Sequence, residues 1–239
     1  MKFAVALQPV ADFAKIVFDK RLGKISTSNV PLILNAADRN AIQVALETND
    51  GTSVLCIGQK GAENVLREAL SYGIQNAYLI ESEFSDASLL AKAFSELKLD
   101  TMIFGETTMD YGYTGIAEAT ASKLGSSFLS RITSMRIENG RIMAAKTYRG
   151  KSLKIELPIP CVVTAKFQKE MRRYPTPVGI REAYQKEIKR LRFDVKEIPA
   201  GLTIKKIAQA EIRKAEPTII KGDAKQVVAD AMRLLRRVL

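Results

Sequence analysis

The chain of 239 residues contains no histidine and no tryptophan, and it has only two cysteines, Cys56 and Cys161. Without histidine, metal sites built on imidazole and catalysis of the Ser-His-Asp or Cys-His type are excluded for this chain. Each cysteine lies in an apolar run, which predicts a buried, reduced thiol and a cytoplasmic location. No apolar run approaches the roughly 18 residues of a membrane span, so no transmembrane segment is expected.

Charge divides the chain into two parts. Residues 1–165 carry 18 Lys or Arg against 17 Asp or Glu, whereas residues 166–239 carry 19 against 9. This asymmetry predicts a near-neutral α/β domain at residues 1–166 and a basic C-terminal arm and helix at residues 167–239, with an acidic partner. A nucleic acid is one candidate for that partner, although the second part has few aromatic side chains to stack on bases.

Apolar runs alternate with helical patterns from residue 2 to residue 125. This alternation predicts an α/β fold, with a doubly wound, mostly parallel sheet and helices on both faces, a Rossmann-like arrangement. The pattern then changes. Hairpin signals at Glu138-Asn139-Gly140 and Arg149-Gly150-Lys151 predict an antiparallel meander, inserted before a last apolar strand at Cys161–Ala165.

The most informative stretch follows the apolar run Thr101–Phe104. A polar loop with two glycines leads into a helix that begins near Ile116, for which Thr114 is a candidate N-cap. A helix N-terminus at the carboxyl edge of a parallel sheet attracts anions, because free N–H groups and the helix dipole both point there. The stretch therefore predicts a phosphate site, while an ordinary strand–loop–helix link stays open on these residues alone.

The C-terminal part is predicted as an extension with several short elements. Gln168–Gly179 indicates an extended surface arm, Ile180–Leu191 a helix, and Arg192–Ile198 an edge strand. Asp223–Leu239 has the spacing of an amphipathic helix, with valines and leucines on one face. Such a helix needs a surface to cover its apolar face. That surface is either the body of the same chain or, as we favour, a second chain.

Five segments, in order along the chain, resemble motifs of the beta subunit of electron-transfer flavoproteins. The family's V-K-Q-V-P-D, N-P-x-D, E-A-L-A-M-G, P-L-P-A-V-V-T and R-Y-P-S-L-P are similar to Leu7–Asp12, Asn35–Asp38, Glu68–Gly73, Pro158–Thr164 and Arg173–Pro177. The family loop D-G-D-T-G-Q-x-G is matched by the shorter Asp110–Gly115.

This resemblance implies an adenine-nucleotide-hydrolase-like fold and a heterodimer in which the alpha subunit holds most of an FAD. It also implies an adenine nucleotide, AMP or a second FAD, in the beta subunit. The cofactor-binding residues implied are Ala6, Asn35, Asp110, Gly112, Tyr113, Thr114 and Gly115, with Phe13 as a flavin contact. The partner-docking residues implied are Arg173, Tyr174, Pro175, Thr176, Pro177 and Val178.

The residue types also allow plainer roles for some of these positions. Asn35 is a natural helix cap, Phe13 suits core packing, and Asp110 is better placed to orient loop amides or bond a ribose hydroxyl than to approach a phosphate. Tyr174 and its flanking prolines suit a stiff surface turn.

The function implied by the resemblance is that of an electron carrier and not of an enzyme. The carrier takes electrons from a dehydrogenase and passes them to a downstream acceptor such as a quinone oxidoreductase. No arrangement for acid–base or covalent catalysis stands out in the sequence, which agrees with redox chemistry done by a bound flavin. No DNA or RNA is expected as a partner on this reading. Two alternatives stay open: a regulatory or ATP-using protein of the same fold, and a nucleic-acid-binding protein that uses the basic tail.

Overall fold

The computed structural model describes residues 1–19, 21, 24–26, 30–48, 51–59, 61–170, 173–193 and 219–236. Within these residues the chain forms one 3-10 helix at Phe13–Lys15 and the following strands and helices: β1 Phe3–Leu7, β2 Pro9–Ala11, β3 Val17–Asp19, β4 Lys24–Ser26, β5 Leu32–Leu34, α1 Ala36–Thr48, β6 Ser53–Gly58, α2 Ala62–Leu70, β7 Asn76–Glu81, α3 Ala87–Glu96, β8 Thr101–Gly105, α4 Ile116–Leu124, β9 Ser127–Glu138, β10 Arg141–Tyr148, β11 Lys151–Leu157, β12 Cys161–Ala165, α5 Pro177–Gln185, β13 Ile188–Leu191 and α6 Ala224–Leu235.

One large sheet organises the fold, in the order β11-β10-β9-β12-β8-β1-β6-β7-β13. The strands from β9 through β12, β8, β1, β6 and β7 to β13 pair in parallel, while β9, β10 and β11 form an antiparallel meander. Every residue of β1 and β12 is buried, as expected for strands covered on both faces. The predicted α/β fold with its meander is confirmed.

Helices cover both faces of the sheet. On one face α1 and α2 pack against alternate residues of β1, such as Phe3 and Val5. On the other face α3 and α4 pack against the residues between them, Ala4 and Ala6. Fully burying a large side chain such as Phe3 stabilises the fold by about 1.5–3 kcal/mol. Since successive β1 side chains point to opposite faces, this one strand belongs to both halves of the core.

The chain reverses its direction of travel across the sheet at β1. It runs outward from β1 through β6 to β7, and α3 then carries it back past β1 to β8 on the other side. The strands on either side of β1 are in matched register, with Ala6 beside both Leu55 and Phe104. In open α/β sheets, ligands bind outside the carboxyl ends of the strands at such a switch point.

Both predicted hairpins of the meander are present. Asn139 and Gly140 have φ of +48° and +75°, and Arg149 and Gly150 have φ of +47° and +76°. Two successive residues with positive φ are the mark of the two-residue turn that suits the twist of a hairpin.

The predicted helix at Ile180–Leu191 is wrong at both ends. The helix α5 starts at Pro177, capped by Thr176, whose side chain accepts a hydrogen bond from the Gly179 N–H at 3.0 Å. It ends at Gln185, and Ile188–Leu191 instead extends the sheet beside β7. The edge strand therefore comes earlier than the predicted Arg192–Ile198, of which residues 194–198 lie outside the described residues.

Two residues hold β13 in place by charge. Arg190 forms ion pairs with Glu63 and Glu81, and Arg192 forms one with Glu81 at 2.5 Å. These contacts join β13 and the residue that follows it to α2 and β7. They connect segments more than a hundred residues apart, so no local pattern could have indicated them.

Among the residues that the structure describes, no helix has the length and the apolar character that a membrane span requires.

Candidate functional site

A cleft of about 490 Å³ opens at the carboxyl edge of the sheet, at the switch point. Ala6 of β1, Gly58 of β6 and Phe104 of β8 line it from the sheet, while the N-terminal ends of α3 and α4 line it from the helix layer. Its volume falls within the roughly 300–1,000 Å³ of small-molecule sites. The fold therefore provides a ligand-sized cleft where ligands bind in this class of sheet.

The N-terminus of α4 is open to this cleft. The N-cap is Gly115, with φ of +69°, so the cap position offers no side chain to bond the free N–H groups of the first turn. The prediction that Thr114 caps the helix is wrong, because the left-handed glycine takes the cap position itself. A Cβ placed on Gly115 would meet no atom within 4 Å. With Thr114 and Ile116 also lining the cleft, this end can receive an anion.

The loop before α4 is closed by its own backbone. Thr108 and Gly112 exchange two N–H to carbonyl hydrogen bonds, of 2.6 and 2.9 Å, in a single antiparallel bridge. At the tip, the Asp110 carboxyl accepts a hydrogen bond from the Tyr111 N–H at 2.8 Å. Both tip residues line the cleft. Asp110 thus orients a loop amide, as expected for an acid near an anion site.

The predicted site residue Asn35 fastens this loop to the start of α1. Its side-chain N–H groups donate to the Thr107 carbonyl at 2.7 Å and to Asp38 at 3.1 Å, and its oxygen accepts from the Met109 N–H at 3.2 Å. Asn35 is 1% exposed. Both ends of its amide are therefore engaged by the protein, and the residue acts on the cleft through the position of the loop.

Asp38 completes this connection. Its carboxyl oxygens accept from the Gln8 N–H at 2.7 Å and from the Gly105 N–H at 3.2 Å, so it joins the ends of β1 and β8 to α1. Burial raises the pKa of Asp38 to about 7, while the hydrogen bonds to the Gln8 N–H, Asn35 and the Gly105 N–H act in the opposite direction. We call Asn35 and Asp38, with the groups they bond, the α1 clamp.

A close approach makes the α1 clamp possible. A Cβ on Gly105 would lie 2.4 Å from Asp38 Oδ1 and 2.7 Å from the Ala37 backbone. Only glycine therefore allows the end of β8 to sit directly against the first turn of α1.

The N-terminus of α3 differs from those of α1 and α4. Asp86 occupies its N-cap position, yet the side chain makes no capping hydrogen bond. The residue lines the cleft, and its Oδ2 atom is buried without a hydrogen-bond partner among the residues that the structure describes. Aspartate is a common N-cap residue, but the Asp86 side chain does not serve as a cap here.

The structure brings together four of the predicted nucleotide residues at the cleft: Ala6, Asp110, Thr114 and Gly115. Asn35, Gly112 and Tyr113 lie behind or beside it. Gly112 forms the loop bridge, and the Tyr113 hydroxyl donates to Glu118. This hydrogen bond to Glu118 raises the pKa of Tyr113.

Phe13 lies on the 3-10 helix that follows β2 and is not among the residues that line the cleft. It is 45% exposed, so the alternative of core packing is wrong for this residue. An exposed aromatic side chain remains available for a contact outside this chain, and its contact with a flavin stays a prediction.

The predicted docking residues, Arg173 to Val178, lead into α5. Tyr174 is 68% exposed and Val178 is also exposed. The segment is nevertheless anchored, because Ala183 of α5 is buried and a Cβ on Gly179 would lie 2.6 Å from the Ser71 carbonyl at the end of α2. It thus presents exposed side chains from a fixed base. Arg172 lies outside the described residues.

Sequence reasoning missed the roles of Asp38 and Asp86. The aspartate of the Asn35–Asp38 motif was a usable signal, because an acid in the first turn of a helix at the sheet edge can bond nearby backbone N–H groups. No sequence signal distinguishes an Asp86 that caps α3 from one that faces a cleft. That distinction depends on the side-chain direction in the folded chain.

Comparison with known proteins agrees with the geometry. A family profile, described as the electron transfer flavoprotein domain, matches residues 23–196. The electron transfer flavoprotein subunit beta of Bacillus subtilis is 28% identical over 238 residues, which cover 93% of this chain and 92% of that protein. The corresponding subunit of Clostridium acetobutylicum is 24% identical over 238 residues, covering 95% and 92%.

A further relative is the subunit CarD of the caffeyl-CoA reductase-Etf complex of Acetobacterium woodii, 26% identical over 201 residues that cover 79% of this chain and 77% of that protein. The profile spans well over half of the chain, and the relatives match it along most of their own length. The family predicted from the five motifs is confirmed, and the chain belongs to the beta subunits of the electron transfer flavoprotein family.

Proposed function

We propose that the chain is the small subunit of a heterodimeric, FAD-containing electron carrier, which takes electrons from a dehydrogenase and passes them to a downstream acceptor. FAD, held mainly by the alpha subunit, supplies the redox chemistry when bound. The beta chain contributes a rigid α/β body, a nucleotide site and surfaces for its partners. The family membership and the relatives in electron-transfer complexes support this proposal.

The cleft at the switch point is the proposed site for an adenine nucleotide, either AMP or a second FAD. The observation that carries this proposal is the open N-terminus of α4, which begins at Gly115 without a side-chain cap. The chemistry of the lining fits such a group. Apolar residues such as Ala6 and Phe104 suit a flat base, and the helix end suits a phosphate.

In this proposal, the residues around the cleft have different roles. The first turn of α4 and the Thr114 hydroxyl bind the phosphate. Asp110 holds the loop tip through its bond to the Tyr111 N–H. Asn35 and Asp38 keep the loop at a fixed distance from the end of β1.

Two surfaces are proposed for partners. The exposed residues Arg173–Val178 dock a dehydrogenase, and the basic character of this region speeds association with an acidic surface. The helix α6 packs on the alpha subunit. None of its described residues is buried, and Val228, Met232 and Leu235 expose apolar surface.

A cytoplasmic location is part of the same proposal. Cys56 and Cys161 are buried free thiols, which suit a reducing compartment.

Co-expression with the alpha subunit from the same genome tests the proposal. The expected product is a yellow heterodimer, whose heat-released nucleotides resolve on chromatography as FAD with or without AMP. A quantity of FAD near two per heterodimer would assign the second flavin to the cleft, and one FAD with one AMP would assign AMP. A colourless monomer that binds RNA with a steep dependence on salt would contradict the carrier function and favour the nucleic-acid alternative.

A further inference from the structure

The carboxyl group of Asp86 is placed against the cleft without a partner for one of its oxygens. Oδ2 is buried and makes no hydrogen bond to any residue that the structure describes. Buried polar atoms almost always have a partner, so an exception in a residue that lines a ligand-sized cleft requires an explanation.

A structural role as a helix cap does not explain this side chain. Asp86 stands at the N-cap of α3 with extended backbone, φ −137° and ψ 141°, where a side chain normally accepts from the first turn. No such bond is made. The backbone carbonyl alone serves the helix, by accepting from the Leu89 N–H at 3.2 Å and the Leu90 N–H at 3.4 Å. An unpaired buried oxygen of this kind lowers the stability of the fold.

The chemistry of the oxygen restricts what can satisfy it. A carboxylate only accepts hydrogen bonds, so its partner must be a donor. A phosphate offers none when ionised and would be repelled. Among the described residues that line the cleft, Asp86 and Asp110 are acidic and none is Lys or Arg. The α3 side of the cleft therefore suits a neutral, donor-bearing part of a ligand, while the open end of α4 suits the anionic part.

We propose that Asp86 is a specificity-determining residue that accepts a hydrogen bond from a donor on the nucleoside half of the ligand, a ribose hydroxyl or the exocyclic amine of the base. This inference rests on the proposed nucleotide site. The inference also gives the nucleotide an orientation in the cleft, with the phosphate toward Gly115 and the nucleoside toward Asp86. It also makes Asp86 the residue that distinguishes a nucleotide from a plain phosphate.

Calorimetric titration of the full-length chain tests this assignment. The ligands are AMP, 2′-deoxy-AMP, 3′-deoxy-AMP, inosine monophosphate and FAD. The variants are Asp86→Ala and Asp86→Asn, with Glu96→Gln at the other, exposed end of α3 as the matched control. Asp86→Ala is expected to weaken AMP binding by about 10- to 100-fold, the loss typical of a hydrogen bond to a charged group. Asp86→Asn, which keeps one acceptor oxygen, loses less, and the control is unchanged.

The analogues identify the donor. One of them lacks the group that Asp86 binds, so the wild-type chain binds it more weakly than AMP. Asp86→Ala binds that analogue and AMP equally, because the interaction is already lost. Thermal unfolding without ligand supplies the second readout. Asp86→Ala is expected to unfold at the same temperature as the wild type or higher, since it removes an unpaired buried oxygen.

The outcomes separate the two proposals. If the wild type binds AMP or FAD and both Asp86 variants bind it equally well, the role of Asp86 is wrong and the nucleotide site stands. A ligand-free Asp86→Ala that unfolds at a lower temperature with unchanged affinity would make Asp86 a structural residue and overturn the inference. If the wild-type chain binds neither AMP nor FAD, the nucleotide site itself is wrong, and the inference fails with it.

Discussion

The N-termini of α1 and α4 lie at the same edge of the sheet, but they differ in what occupies them. The start of α1 is filled by the chain itself, because Asn35 and Asp38 bond the backbone of the neighbouring loop and strands. The start of α4 has Gly115 at its cap, and this residue has no side chain to bond the first turn. Both ends carry the same positive end of a helix dipole. Only one of them is left available to a ligand.

This difference shows that the N-terminal end of one helix can stabilise the fold while that of another is available to bind a ligand. At α1, the buried Asp38 and Asn35 accept from N–H groups of the neighbouring strands and loop, and so fix the loop that approaches α4. At α4, the glycine leaves both the N–H groups and the space in front of them.

The charge of Asp38 should make the stability of the fold depend on pH. The folded state raises the pKa of Asp38 from 3.8 to about 7, so between these values the folded chain binds a proton that the unfolded chain has released. Stability therefore falls as pH rises from about 4 to about 7 and is then constant. The loss is up to about 4 kcal/mol. Urea unfolding of the wild type and Asp38→Asn across this range measures it. If the free energy of unfolding changes with pH in the same way for the two proteins, the raised pKa of Asp38 is contradicted.

Gly105→Ala should break the contact between β8 and α1. The new Cβ would lie 2.4 Å from Asp38 Oδ1 and 2.8 Å from the Asp38 nitrogen, so the strand end or the helix must move. We expect a loss of about 3 kcal/mol of stability, from overpacking and the weakened hydrogen bond.

The comparison variant for this change is Gly140→Ala. That glycine has a positive φ, of +75°, which Gly105 does not have, and a Cβ there meets no atom within 4 Å. It should lose only about 1–2 kcal/mol, the cost of left-handed backbone. A loss in Gly105→Ala no larger than that in Gly140→Ala would show that the close approach of β8 to α1 costs little.

Asn35→Ala should release the loop while the sheet stays folded. It removes the bonds to the Thr107 carbonyl and the Met109 N–H, at a cost of about 2 kcal/mol. Hydrogen exchange of the Met109 amide should become faster, and AMP affinity should fall although Asn35 does not line the cleft. If AMP affinity is unchanged with a loosened loop, the loop position does not matter for binding.

Tyr113→Phe should have the smallest effect. The hydroxyl donates to the Glu118 carboxylate, Tyr113 itself is exposed, and it is not among the residues that line the cleft. Stability should stay within about 0.5 kcal/mol of the wild type, as for most surface changes. AMP affinity should stay within about twofold by calorimetry, well inside 1 kcal/mol. A larger loss of affinity would show that Tyr113 contacts the ligand, as the family resemblance implies.

Much of the fold could be predicted from local patterns. The buried strands appear as short apolar runs, and the meander is indicated by Asn139-Gly140 and Arg149-Gly150, whose turns require positive φ. The strand Ile188–Leu191 could not be predicted, because it is short and charged. It exists through pairing with β7 and through the ion pairs of Arg190, which no local pattern contains.

The candidate site was predicted in its location but not in its details. Thr114 and Gly115 were correctly placed at a helix start beside the sheet edge. Asn35, however, bonds residues 72 and 74 positions away, so its use as a clamp follows only from the folded chain. Thr114 and Asp86 have the residue types of helix caps, and neither caps its helix. Residue type gives a preference, and the tertiary structure decides the partner.

The open end of α4 is proposed to receive the phosphate of a nucleotide. Calorimetric titration of AMP and adenosine into the wild type and Thr114→Glu tests it most directly, because a glutamate at a helix N-terminus favours the helix while it repels the phosphate. Ser122→Glu, on the exposed last turn of α4, is the control. Thr114→Glu is expected to lose at least about tenfold in AMP affinity, or roughly 1.4 kcal/mol, and to leave adenosine binding unchanged. Equal affinity of Thr114→Glu and the wild type for AMP would contradict it.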